Sequence, residues 1–97
     1  MPRVMFTPLA SADIEAAYAW YEGQRAGLGE EFRVALEVVW GMLEQYPAAG
    51  PVAHRELRRL LVPRFPYAVY YRLAADIIEV RGCLHQRRDP RAAIRRA

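Results

Sequence analysis

The sequence predicts an α+β fold in two layers, with a two-helix hairpin packed on one face of an antiparallel sheet of three to four strands. Three observations predict it. Apolar residues recur at helical spacing from about residue 8 to residue 46, broken once by glycines near position 28. From residue 56 the apolar period changes to two and stays so as far as residue 85. A short alternating run, RVMFT (3–7), precedes the first helix. The order is strand, helix, helix, strand, strand, strand.

The partner of the first strand is left open by periodicity alone. Thr7 and Pro8 form a helix start, Thr as N-cap and Pro at the first helical position, where its missing N–H costs nothing. The helix from Pro8 to about Arg25 is rich in alanine and places Ile14, Ala17, Tyr18 and Tyr21 on one face. Gly27 and Gly29 break it. A second helix runs from about Gly29 to Tyr46, with the stripe Phe32, Leu36, Val39, Leu43 and Tyr46, and Pro47 ends it. AAGPVAH (48–54) reads as a loop. ELRRLLV (56–62), YAVYYRL (67–73) and IIEVRGCLH (77–85) read as strands, with Pro63 and Pro66 in the first gap and AAD (74–76) as a hairpin connection. Asp89-Pro90 stops the last strand, Asp89 pairing locally with Arg87 or Arg88, and the tail DPRAAIRRA holds at most one helical turn.

A chain of 97 residues makes one domain, 1–97, and can bury a core without staples. Its one cysteine, Cys83, forms no internal disulfide and fits a reducing compartment. No apolar run approaches the roughly 20 residues of a membrane span, and no secretory leader is visible. A cytoplasmic protein is expected. The net charge of +3 hides an asymmetry. Residues 1–50 carry three arginines against seven carboxylates, −4, and residues 51–97 eleven against four, +7. The second half therefore suits a polyanion or an acidic protein. All fourteen basic residues are arginine. This reflects either genomic composition or a use for planar guanidinium groups, and it excludes lysine chemistry.

There is no glycine-rich phosphate loop, no Cys or His pair at metal spacing and no nucleophile elbow, so no metal and no cofactor are expected. The helical carboxylates, Asp13, Glu15 and Glu22 on the first helix among them, read as a solvated face, and His54 as an idle loop residue. Alternation puts Arg81, Cys83 and His85 on one face of the last strand, with Arg58, Arg59, Arg64 and Arg72 nearby. Such a cluster is either a solvated face with ordinary ion pairs or a phosphate-binding surface. In the second case Arg64, Arg81 and His85 are the candidates for cleaving RNA, arginine stabilising the phosphorane and histidine moving a proton. Trp20 and Trp40 lie off the helical stripes, at the core edge or in a partner groove.

RRLLVPRFPYAVYYRL followed by IIEVRGCLHQRRDP resembles the C-terminal half of the RelE/ParE family of bacterial toxins. AxxDIEAAxxWY and GLGxxF are similar to the family's N-terminal half, so the likeness runs from about Met5 to Pro90. It implies a toxin of a type II toxin–antitoxin module, a helical hairpin on an antiparallel sheet, and a cognate antitoxin that wraps the toxin as a hetero-oligomer, with Trp20, Tyr21, Val38 and Trp40 as candidate antitoxin contacts. Plasmid stabilisation and growth inhibition are the associated roles. RelE-like members cleave mRNA on the ribosome; ParE-like members poison DNA gyrase without chemistry of their own. This chain lacks lysine, has no tyrosine after the last strand, and carries Tyr67 where nucleolytic members tend to have arginine. The pattern points to a ParE-like toxin whose basic edge binds its target through Arg58, Arg59, Arg64, Arg81, His85, Arg87 and Arg88. A ribosome-dependent endoribonuclease, and an inactive member that only binds its antitoxin, remain the alternatives.

Overall fold

A computed structural model describes residues 2–87. Strand β1 (Arg3–Phe6) leads into helix α1 (Pro8–Gln24), and a tight turn into α2 (Leu28–Gln45). Four strands follow: β2 (Val52–His54), β3 (Leu57–Leu61), β4 (Tyr67–Ala74) and β5 (Ile77–His85). They form one five-stranded sheet in the order β1-β5-β4-β3-β2. β1 runs parallel to β5, with Arg3 opposite Ile77 and Phe6 opposite Val80; all other neighbours are antiparallel. The α+β class and the helical hairpin are as expected. The sheet is larger than expected and mixed. Its extra strand, β2, is three residues of the supposed 48–54 loop. Among the described residues no helix is long and apolar enough to cross a membrane.

Local chemistry explains the helical hairpin. The Thr7 hydroxyl accepts the Ala10 N–H at 3.1 Å, with Pro8 in the first turn. Gly27 sits at φ 90°, a left-handed conformation that costs glycine nothing and reverses the chain before α2. The Glu22 carboxylate then reaches across the turn and accepts the N–H groups of Gly27 and Gly29, each at 3.0 Å. Glu22 is thus no solvated bystander. It satisfies donors that a helix start otherwise leaves unpaired, and its charge faces the positive end of the α2 dipole. Glu22→Ala is expected to cost about 1–2 kcal/mol, read as a lowered urea midpoint with unchanged slope.

The core lies between the hairpin and one face of the sheet. α2 contributes Phe32, Leu36, Val39 and Leu43, all at most 2% exposed. α1 contributes Ala10, Ala17 and Tyr21, and the sheet Val69, Tyr71, Ile78, Val80 and Cys83. Tyr46, expected in the α2 stripe, is instead the exposed C-cap. The 47–51 loop is tied down from two sides. The Tyr71 hydroxyl donates to the Pro47 carbonyl at 2.8 Å and accepts the Gly50 N–H at 2.9 Å. The Arg58 guanidinium donates to the Ala48 and Gly50 carbonyls at 3.3 and 2.9 Å.

Candidate partner and target surfaces

The final strand decides where the candidate site residues go. β4 and β5 pair in regular register from Tyr67–His85 to Tyr70–Gly82, but Tyr71 pairs with Val80. Arg81 is the extra residue of a β-bulge. The bulge breaks the simple alternation. Ile78, Val80 and Cys83 point into the core under the helices, and the ring of His85 packs on Tyr67 there. Arg81 faces the other way, with Glu79, whose carboxylate lies 3.5 Å from it. The expectation that Arg81, Cys83 and His85 share a face is therefore wrong.

The remaining arginines scatter as well. Arg64 occupies the β3–β4 turn at φ 68°, 79% exposed, and its nearest carboxylate is Glu31 on α2 at 3.6 Å. Arg64, Arg81 and His85 thus lie in a turn, on the open sheet face and on the helical face, and do not form one centre. Arg58 clamps the 47–51 loop through one nitrogen of its guanidinium, Nη1. Arg59 Nε donates to the Tyr70 hydroxyl at 3.1 Å on the open face. Arg72 is beside Glu79 at 3.4 Å and Glu56 at 3.8 Å. Arg87 is exposed, its backbone N–H donating to His85 Nδ1 at 3.2 Å. Arg88 and Asp89 lie outside the described residues, as does the tail. Among the described residues no three His, Cys, Asp or Glu side chains gather where a metal ion could sit.

A concavity of about 650 Å³ lies between α1 and the ends of β4 and β5. Trp20, Tyr21, Tyr67 and His85 line it with Asp13 and Cys83. β1 pairs with β5 only as far as Val80, and β5 continues past it to His85. Asp13 comes in from α1 and accepts the Cys83 N–H at 3.1 Å, a role that periodicity did not assign to it. Trp20 is the exposed wall, 58% accessible and edge-on to Tyr21 at 5.1 Å. Tyr21 is the floor. It is only 8% exposed and touches Phe32, Phe65 and Tyr67, so it serves the core more than a partner.

Cys83 is not a reactive thiol. Burial, and then the Asp13 carboxylate, push it up to about 12. Burial also raises the Tyr21, Tyr67 and Tyr71 phenols. In each case the unfolded group ionises first as pH rises, so the unfolded state binds fewer protons and stability falls. The Cys83 contribution is complete below the ordinary thiol range near pH 9 and is lost as pH climbs towards 12. Urea melts at pH 8, 9 and 10 are expected to show a steadily falling midpoint, with alkylation of Cys83 slow until the chain unfolds.

Trp40 belongs to a second concavity of about 330 Å³, with Phe6, Ser11, Ile14, Arg33 and Glu37 among its lining residues. It is half-buried and meets Phe6 edge to face at 5.0 Å and 78°. Val38 lies on yet another side, in a row with Val34 and Met42 along the outer face of α2, each about half exposed. Trp20, Val38 and Trp40 therefore do not line one groove.

A model of the ParE toxin of the type II toxin–antitoxin system parDE matches residues 4–90. The chain belongs to the ParE toxin family. The fold agrees: a chain from the chromosomal ParDE toxin–antitoxin system of P. aeruginosa superposes with a TM-score of 0.75. It is 20% identical, over 88% of this chain and 95% of that one. No curated protein matches. The ParE-family chain is accordingly a toxin of the type II class, and the closer likeness to ParE than to RelE, expected from Tyr67 and the missing lysine, holds.

Proposed function

We propose that this ParE-family toxin acts by binding DNA gyrase, without chemistry of its own, and that a cognate antitoxin neutralises it by wrapping the helical hairpin. The observation that carries the first half is the bulge at Arg81. It puts Arg81 and His85 on opposite faces of the sheet, with Arg64 in a turn beside Glu31. General acid–base cleavage needs its groups within hydrogen-bond reach of one phosphate. The second half rests on the distribution of exposed apolar side chains. Trp20, Val38 and Trp40 open in three directions, which suits an extended partner that follows the hairpin round more than a compact one. In this reading the chain is one cytoplasmic domain, and the module stabilises a replicon by arresting growth when the antitoxin is lost.

The test is purified toxin titrated into a gyrase supercoiling assay, together with primer extension on mRNA from induced cells. Inhibited supercoiling with intact transcripts supports the reading. Cut transcripts with normal supercoiling would replace it with the ribosome-dependent nuclease. Neither effect, with tight antitoxin binding, would leave an inactive module member.

Trp40 provides an internal control. Its packing on Phe6 makes it part of the fold as well as of a surface. Trp40→Ala is expected to lower stability by about 2 kcal/mol and to weaken antitoxin binding with it. An unchanged thermal melt would move Trp40 wholly to the interface.

A further inference from the structure

We propose that the outer face of α2 seats an amphipathic helix of the antitoxin, and that this helix is basic on the side that meets Glu37 and Glu44. The proposal rests on the reading that a cognate antitoxin covers the hairpin, and it names the chemistry that partner brings to this part of it. The first observation is apolar. Val34, Val38 and Met42 recur every four residues along α2, each about half exposed. At the helical rise they make a row about 12 Å long. Anchors one turn apart are what the apolar stripe of a second helix meets when the two pack side by side.

The second observation is Gly41. It neighbours Glu37, Val38 and Glu44 on the helix surface, three or four positions from each. A glycine inside a helix destabilises it relative to alanine. Nothing in the chain comes within 4 Å of where a Cβ on Gly41 would stand. The toxin's own packing therefore gives no reason for a glycine there. The backbone of a partner helix laid close against α2 gives one.

Charge decides the partner's chemistry. Residues 8–45 hold seven carboxylates and two arginines, a net charge of −5 in a chain of net +3. Glu30, Glu37 and Glu44 stand seven residues apart and make a second row beside the apolar one. Arg33 bridges the first two. Glu44 stands in the last turn of α2, which carries no base. The carbonyl end of the helix adds its own negative charge at that point. A lysine or arginine seated there gains from both, and an acidic segment is repelled. The chain as a whole is positive, so it is this local row that draws a basic segment in. A second copy of the toxin suits the face less well. Two α2 helices packed antiparallel about a two-fold axis bring each glutamate row onto its own image.

Two substitutions test it, and their signs are ones that misfolding does not imitate. Gly41→Ala and Glu44→Lys are both expected to raise the melting temperature of the free toxin. The first removes a glycine from the helix interior, and the second puts a base at the α2 C-terminus. Both are expected to weaken the complex with the co-expressed cognate antitoxin about tenfold or more by calorimetric titration. Raised salt should then cost the Glu44→Lys complex less affinity than the wild-type one. Nuclear Overhauser cross-peaks from the Val34 and Val38 methyls to the antitoxin are expected in the wild-type complex. Unchanged affinity in either variant, with the wild-type complex intact, would overturn the proposal and leave the antitoxin reading standing. A tighter Glu44→Lys complex would show an acidic segment on this face and overturn it too. Free toxin that self-associates until Glu44→Lys abolishes the association would give the face to a second copy, against the proposal. A wild-type toxin that binds no antitoxin would remove the reading and the proposal together.

Discussion

Gly50→Ala is expected to lower the melting temperature by at least about 12 °C, a loss of about 3 kcal/mol or more in a domain of this size. A Cβ on Gly50 would stand 2.5 Å from the Arg59 carbonyl oxygen and 2.9 Å from the Tyr71 hydroxyl. Neither neighbour can give way cheaply. The Arg59 backbone is held in β3, its N–H donating to the Pro51 carbonyl at 3.0 Å. The Tyr71 hydroxyl is bonded to both Pro47 and Gly50. Relief of the clash means lifting the 47–51 loop away. That strands the hydroxyl of a fully buried tyrosine, worth about 1–3 kcal/mol, and adds overpacking of similar size. The Arg58 bonds to the same loop would be lost with it. A thermal melt within a few degrees of wild type would show that the loop relaxes freely and that its clamps do not hold the fold.

The second large effect is on binding. Trp20→Ala is expected to raise the dissociation constant for the cognate antitoxin at least about 30-fold, roughly 2 kcal/mol, with the melting temperature almost unchanged. Trp20 is 58% exposed and its ring stands edge-on to that of Tyr21, so removing it leaves the core intact. It forms the wall of the larger concavity, where an apolar side chain of a partner would become fully desolvated. Calorimetric titration of wild type and variant with the antitoxin measures it. Equal affinities would place the antitoxin elsewhere, and Val38 on the outer face of α2 would be the next position to change.

How much of this was legible in the sequence depends on how local each signal is. Thr7-Pro8, the Gly27 turn and the Phe32–Leu43 stripe are local, and the structure places all three within a residue or two of expectation. β2 was missed because three residues carry no period. Its existence rests on β3 as a partner. The parallel partner of β1 was out of reach for the same reason. The Arg81 bulge is the most consequential miss. A bulge is a property of two strands in register, and β5 read alone gives an unbroken alternation that carries Arg81 to the wrong face. The roles of Asp13 and Glu22 escaped because each serves a backbone N–H, and such a partner leaves no mark at side-chain spacing. The arginine-rich character of the second half was plain, but only the fold shows that Arg58 also holds a loop.

The pairing of the first strand with the last sets the order in which the chain can assemble. Arg3 meets Ile77 across 74 positions of sequence, while the helical hairpin and the β3–β4–β5 meander close through near neighbours. Contacts of such long range are slow to form, because the entropy of closing the loop comes before any reward. During synthesis β1 has no partner until residues 77–80 have emerged, and Met5 and Phe6 stay in water meanwhile. The sheet edge that completes the toxin is thus among the last parts to form, and a nascent chain on the ribosome remains without it until a stretch more than seventy residues downstream has been made.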